Sequence, residues 1–405
     1  MTTPLPITTN ERFVSVDALR GFDMFWIVGG AGVVHALDKM VGNETTTLLS
    51  TQFKHVEWEG FRFYDLIFPL FLFIVGVSMA FSLDRSLAER GRAATLARVL
   101  KRSLLLYALG VFYYGGLSKA WPDVQLAGVL QRIAACYLGA ALVYAFVRSA
   151  GGLLTVAAAL LFGYWALLAY VPFPDLKLDK ATVEAIAQQI GSSSPSDIAA
   201  SISQTIHGTY DEGRNLTNYI DFLYLPGKKA NLYYINEGLL STLPAIALPL
   251  FGALAGLLLK NPLIVPARKI AWLVVSGVAA IGLATLWSYE FPWIKRIWTS
   301  SFVLLTAGCS ALLLAVFYWL VDVRRWRTWC QPFVWIGSNA ITIYVVAQIV
   351  GFSALAARLV GGEVSRFLDA VVVRGFGNFG VSLVALFLAL ALTRFLYQRK
   401  IFLRV

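Results

Sequence analysis

The chain has the pattern of an all-α, polytopic integral membrane helix bundle with about ten transmembrane helices. Three observations lead there. Apolar residues make up 58% of the 405 residues and charged residues only 14%, against about 25% charged in an ordinary soluble domain. The apolar residues fall in long blocks rather than in short amphipathic runs. The basic residues behind the net charge of +11 gather at the ends of those blocks. That placement is the signature of membrane orientation and argues against nucleic acid as a partner.

A helical span needs about 20 mostly apolar residues. Blocks of that kind lie near 18–38, 63–83, 99–117, 126–146, 151–171, 238–259, 270–289, 299–321, 333–353 and 378–397. Pro69, Gly76, Pro244 and Pro249 sit inside them, which membrane helices tolerate because neighbouring helices re-satisfy the backbone. Alternate connections carry Arg12 and Arg20, then Arg85 to Arg102, Arg148, Lys260 to Lys269, Arg324 to Arg327 and Arg394 to Arg404. The short connections between them hold Glu44, Glu57 and Glu59. By the positive-inside rule both termini are cytoplasmic.

Segment 354–377, with Arg358, Glu363, Arg366, Asp369 and Arg374, is expected to be an external loop with a surface helix. The polar stretch 172–236 is expected to be an extracytoplasmic loop over an external cavity, because a connection that long is functional or partly disordered. Residues 1–405 are otherwise expected to form one transmembrane domain. The opening MTTPLPITTNERF has no apolar core, so no cleavable signal peptide is expected. Cys136, Cys309 and Cys330 show no ligand spacing, read as packed thiols, and call for no metal.

Polar residues inside apolar blocks carry the chemistry. In DALRGFD, Asp17, Arg20 and Asp23 share one helix face, and Asp23 lies inside the block, where a charge costs about 2.5–3.5 kcal/mol. The group serves equally as a helix clamp or as part of a ligand site. In HVEWEGFRFYDLIFPLFLFIVG, His55, Glu57 and Trp58 stand in the outer connection and Asp65 opens the next helix. A histidine there can act as base, acid or nucleophile, a nearby carboxylate can orient its ring, and Trp58 can stack on a sugar. The same pattern also suits an interfacial histidine beside an aromatic-belt tryptophan.

Gln131 and Arg132 lie well inside the fourth block, with Asp23 or Asp65 as the expected partner of the guanidinium. Asn236, Glu237, Ser241 and Thr242 begin the sixth. Trp298, Thr299 and Ser301 begin the eighth, and Ser338, Asn339, Tyr344 and Gln348 lie in the ninth. Taken singly these are interhelical hydrogen-bonding groups; taken together they imply a polar cavity through the bundle. His35 ends the first block, and His207 sits solvated in the long loop.

The motifs DALRGFD, HVEWEGFRFYDLIFPLFLFIVG, GVLQRIAACYL, EGLLSTLPAIA, IWTSSF, GSNAITIYV and RKIFLRV, taken in order, resemble heparan-α-glucosaminide N-acetyltransferase and its bacterial relatives. The resemblance implies a membrane acetyltransferase in a bacterial cytoplasmic membrane. It implies that acetyl-CoA is the co-substrate on the cytoplasmic side, and that the acceptor is the amino group of a glucosamine-type sugar on the far side. It implies that His55 is catalytic, with Asp65, Gln131 and Arg132 as site residues. Glu57, Trp58, Asp23, Trp298, Ser301 and Asn339 complete the expected substrate site, and Arg20, Arg98 and Arg102 are expected to meet the CoA phosphates.

Further expected partners are membrane lipid and no nucleic acid, with a homodimer left open. Family members often carry an asparagine a short way before the histidine. Here that stretch is IVGGAGVVHALDK, so the helper of His55 is unidentified. His55 can take the acetyl group itself or deprotonate the acceptor amine. Two other readings stay open: a transporter or flippase for a sugar or lipid-linked glycan, and an O-acetyltransferase of envelope polysaccharide.

Overall fold

The computed structural model describes residues 13–402, so Arg12, Arg404 and the opening polar stretch lie outside the described residues. Helix α1 (Val14–Phe25) runs through a π-helical turn into α2 (Ala31–Val41), and the short α3 (Glu44–Gln52) follows. Asn43 caps α3 by accepting from Thr46 N at 2.8 Å, and Thr46 Oγ1 returns the bond to Asn43 N.

Helix α4 (Phe63–Tyr113) is 51 residues long. A straight helix of that length would measure about 76 Å, more than twice the ~30 Å hydrocarbon core. It is not straight. Gly91 has φ 76° and ψ 174°, a conformation glycine adopts readily. Ser86 and Thr95 then hydrogen-bond at 3.0 Å across nine positions, which in a straight helix would be about 13 Å apart. The chain therefore reverses at Gly91, and α4 is two antiparallel limbs that match the expected second and third spans.

Helices α5 (Val129–Phe146) and α6 (Ala150–Tyr170) continue the bundle. The expected loop 172–236 is a folded cap. A two-residue antiparallel pairing, β1 (Phe173–Pro174) with β2 (Thr205–Ile206), closes it, and it holds α7 (Lys180–Ile190), α8 (Pro195–Ala200) and α9 (Leu216–Tyr224). It has its own core of Leu176, Leu178, Val183, Ile198, Phe222 and Tyr234.

Helices α10 (Thr242–Lys260), α11 (Pro266–Trp287) and α12 (Ser300–Phe317) return to the membrane. The expected ninth span is instead broken into α13 (Gln331–Ser338) and α14 (Ala340–Val350), bent by 82°. The break falls at Asn339, whose side-chain amide donates to the carbonyl of Ile401 at 3.0 Å. Segment 354–377 lies largely in two nine-residue helices, α15 (Phe352–Val360) and α16 (Glu363–Val371), each too short to span, before α17 (Phe376–Gln398).

Among the described residues, eight helices are long and apolar enough to cross a membrane, nine if the bent pair counts as one span. Counting the two limbs of α4 separately brings the tally to the number the sequence implies. The fold is an all-α, multi-pass membrane protein. Phe162, Trp272, Leu283 and Phe387 stand exposed on α6, α11 and α17, where lipid replaces water as the solvent.

Small residues set the closest contacts. A Cβ on Gly252 would meet the carbonyl oxygen of Phe73 at 1.9 Å, and one on Gly76 would meet that of Pro249 at 2.0 Å. A second seam joins α1 to α13, where a Cβ on Gly337 would lie 1.9 Å from the Asp17 carbonyl oxygen. All three cysteines are free, with Cys136 and Cys330 buried.

Candidate functional site

A cavity of about 290 Å³ opens at the top of α1, α4, α5 and α14. Its depth is apolar, with Met24, Ile67, Phe71 and Ile133 among its walls, and its mouth carries His55, Asn236, Glu237, Lys295 and Arg296. Tyr344 lines it from α14 and stacks on Tyr113 with ring centroids 4.9 Å apart.

His55 stands in the connection between α3 and α4 with its side chain 53% exposed. Its Nδ1 lies 2.8 Å from Oδ1 of Asp65, a carboxylate only 1% exposed. The carboxylate is held from the other side. Its Oδ2 accepts from the backbone N–H of Arg62 at 3.1 Å and of Val56 at 3.3 Å. The Arg62 bond is also the N-terminal cap of α4. The Tyr64 ring lies 4.8 Å from the imidazole, and Arg62 Nη1 donates to the His55 carbonyl at 3.0 Å.

Lys295 completes the group from a connection 240 positions away, with Nζ 2.9 Å from His55 Nδ1 and 3.3 Å from Asp65 Oδ1. Two backbone links bring the connections together. Glu59 forms an isolated antiparallel bridge with Ile294, and Gly60 N–H donates to the Trp293 carbonyl at 2.9 Å. Burial pushes the Lys295 ammonium below its ordinary range, while Asp65 and then Glu237 pull it back. Sequence reasoning missed Lys295; the only signal was the basic pair Lys295–Arg296 immediately before the IWTSSF motif.

The cap reaches the same mouth. Glu212 accepts from Arg296 Nη1 at 2.5 Å. The indole N–H of Trp58 donates to the Tyr210 carbonyl at 2.9 Å, and its ring packs with Phe291, Ile294 and Ile297. Trp58 therefore ties the cap to the bundle and is not in the cavity wall. Glu57 is exposed in the same connection and also outside the wall.

The other expected site residues are dispersed. Arg132 is buried, but neither Asp23 nor Asp65 is its partner. Its Nη2 donates to the Gly238 carbonyl at 3.0 Å and to Ser241 Oγ at 2.5 Å, and its guanidinium lies 5.0 Å from the Trp298 ring centre. That arrangement braces the turn which presents Asn236 and Glu237. Trp298 and Ser301 are buried packing residues, with Ser301 Oγ donating to the Phe291 carbonyl. Gln131 is buried against Gly110, and Asn339 sits at the α13–α14 break.

Asp23 is fully buried with both carboxyl oxygens lacking a hydrogen-bond partner among the described residues. Arg20 binds Asp17, the Gly337 carbonyl and Ser78, so it clamps helices. Arg98 is exposed, and Arg102 lies over the Tyr137 ring at 4.9 Å; neither approaches the cavity. His35 pairs with Ser50 at 2.9 Å, and the exposed His207 donates to the Ala169 carbonyl at 3.0 Å.

Fold and site together define a multi-pass, all-α membrane protein with a histidine–carboxylate pair at the mouth of an intramembrane cavity. The profile of the family described as "Heparan-alpha-glucosaminide N-acetyltransferase, catalytic" matches residues 12–179. The chain is 27% identical over 353 residues to heparan-alpha-glucosaminide N-acetyltransferase of Mus musculus, and 28% identical over 350 residues to that of Homo sapiens. Those alignments cover 74% and 73% of this chain but 49% of each relative, so the chain spans about half the length of the curated relatives it matches. By both comparisons the chain is similar to the heparan-alpha-glucosaminide N-acetyltransferase family. The matched profile contains His55 and Asp65, while Glu237 and Lys295 lie beyond it.

Proposed function

We propose that this protein is a membrane acetyltransferase that moves an acetyl group from acetyl-CoA to the amino group of a glucosamine-type sugar. One observation carries the reading: the Nδ1 of His55 lies 2.8 Å from a carboxylate that is 1% exposed, at the polar mouth of an apolar cavity. With Nδ1–H donated to Asp65, the tautomer leaves Nε2 with its lone pair free. In one route that nitrogen attacks the thioester carbonyl, breaking the C–S bond and releasing CoA as its thiol, and then yields the acetyl group to the amine. In the other it takes a proton from the acceptor amine as the amine attacks the thioester, and CoA leaves with that proton. In both routes Asp65 fixes the ring and offsets the charge that develops on it, as the buried carboxylate does in the serine-hydrolase triad.

The apolar depth suits the acyl and pantetheine part of the donor. The mouth, with Asn236, Glu237 and the cap, suits a sugar. The basic connections at the opposite ends of the spans suit the anionic part of CoA, with Arg98 and Arg102 the exposed or half-exposed candidates there. By the charge rule that side is cytoplasmic, which puts donor and acceptor on opposite faces.

The test is consumption of labelled acetyl-CoA by purified protein with glucosamine present. Wild type turns over, and His55→Ala falls at least about 100-fold. If both proteins leave acetyl-CoA untouched, the enzyme reading fails in favour of transport. Mass spectrometry of the product separates an amide from the ester that O-acetylation would give.

A further inference from the structure

Lys295 is the member of the mouth that neither route uses. Its Nζ stands 2.9 Å from His55 Nδ1 and 3.5 Å from His55 Nε2. These two distances fix its direction. The in-plane acceptor or donor direction of each ring nitrogen points outward, away from the other nitrogen. An ammonium on that line at Nδ1 would lie much farther from Nε2. One at comparable distances from both stands beside the ring face. Lys295 therefore leaves the in-plane position at Nδ1 to Asp65, 2.8 Å away, and directs its own charge at the same carboxylate, 3.3 Å away.

We infer that Lys295 is a positioning residue that keeps the His55 ring uncharged, with Nε2 free, by holding a fixed cation against the ring and sharing the Asp65 carboxylate. The inference rests on the role proposed for His55. A buried carboxylate alone would favour the imidazolium, which is useless as a base or nucleophile; a cation at the ring opposes it. The Lys295 side chain is only 20% exposed and Asp65 1%, so solvent screens that pair weakly, while the His55 side chain is 53% exposed and is screened more.

The other charged and titratable groups around the ring act from further off. Arg62 bonds the His55 carbonyl, Tyr64 packs its ring at 4.8 Å, and Lys54 is exposed next to it in the chain. Glu237 and Arg296 share the cavity mouth, and Arg296 is tied to Glu212. Among the described residues none of these has a hydrogen bond to the ring.

The placement of Lys295 is built in. Its carbonyl accepts from Trp298 N–H at 3.1 Å, and Trp298 is held at φ 52°, a region costly for a bulky side chain. Thr299 Oγ1 accepts from Ile294 N–H at 3.0 Å and donates to the Pro292 carbonyl at 2.7 Å, which locks the same turn.

The experiment compares full-length Lys295→Met, Lys295→Gln and Lys295→Arg with wild type, each shown monodisperse in detergent. The readout is kcat/KM for acetyl transfer from acetyl-CoA to glucosamine across pH. Loss of the cation favours protonation of the ring, so the acid limb of the Met and Gln variants moves up by about one pH unit. On that limb their rate falls about tenfold relative to their own high-pH plateau. Lys295→Arg keeps the limb within about 0.3 unit. A uniform loss at every pH with the limb unmoved, or an arginine variant that shifts as far as methionine, overturns the inference. A His55→Ala protein as active as wild type would instead sink the reading of His55 on which it rests.

Discussion

Replacing Asp65 by asparagine removes one charge and almost no volume, and its effect can be worked from the contacts. The wild-type carboxylate takes one bond from the imidazole and two from backbone N–H groups, and faces Lys295 at 3.3 Å. An asparagine at this position can still accept through its single carbonyl oxygen. Its amide NH₂ cannot accept from Nδ1, so the ring either loses the bond or inverts its tautomer. A hydrogen bond to a charged group is worth about 1.5–3 kcal/mol, which is roughly 10–150-fold in rate. Tautomer inversion adds to this. The same change in the fully buried serine-protease triad costs about 10⁴, an upper bound for a ring 53% exposed. We expect kcat to fall by about 10²–10³.

Stability falls as well, because Lys295 keeps its charge without a counter-ion. Breaking a buried pair costs about 3–5 kcal/mol; partial exposure of Lys295 brings the expectation to ~2–3 kcal/mol. The assays are acetyl-CoA turnover with glucosamine and thermal unfolding in detergent. An Asp65→Asn protein that keeps half the wild-type rate at pH 7 with its melting temperature unchanged refutes the reasoning.

Three further outcomes follow from the structure. Gly252→Val drives a side chain into the Phe73 carbonyl, 1.9 Å from the Cβ position, and should cost about 3 kcal/mol or more. Gly282→Ala, which meets nothing within 4 Å, should leave the melting temperature unchanged, and an equal loss from both would dismiss the seam. Burial pushes the Asp221 carboxyl in the cap up to about 6, against its bonds to the backbone of Leu239 and Ile235. Its folded value lies above the unfolded one near 3.9, so its contribution is full below about pH 4 and is lost as pH rises through about 6, on the order of 2–3 kcal/mol in all. Asp221→Asn should flatten the melting temperature over that window, and a slope identical to wild type counts against it. The Glu212–Arg296 pair is 45% and 32% exposed, so a double-mutant cycle should return under about 1 kcal/mol. A larger coupling would mean that this pair, and not Trp58, fastens the cap.

The spans are legible in the sequence because a bilayer demands long apolar blocks and basic flanks, and little else satisfies it. The chain reversal at Gly91 is legible as two blocks, since a single glycine is enough to turn the helix. The break at Asn339 is not, because the side chain there meets the distant carbonyl of Ile401 and no sequence pattern carries that contact. His55 and Asp65 can be paired on paper, being ten residues apart across one helix start. For Arg132 the sequence points to the wrong partner, because carboxylates are the usual counter-ions for a buried guanidinium. A backbone carbonyl and a hydroxyl take only its Nη2, with an indole ring at 5.0 Å, while Nε and Nη1 have no hydrogen-bond partner among the described residues. Trp298 and Ser301 stand out for their chemistry, but the eighth span begins there and buries them to hold the turn. Lys295 escapes notice because a basic pair at the end of a span is commonplace, and its significance depends on a bridge between Glu59 and Ile294.

That bridge also bears on how the molecule is made. His55 and Asp65 leave the ribosome together, while Lys295 follows 240 residues after His55, about 12–48 s at ordinary elongation rates. For that interval the Asp65 carboxylate sits at the top of a newly inserted helix without its cation. The cap, complete by Glu237, has been synthesised by then, but the connection it rests on has not. A nascent chain stalled between residues 240 and 290 should present the cap to protease and leave His55 accessible to modification. A chain released past Trp298 should protect the cap.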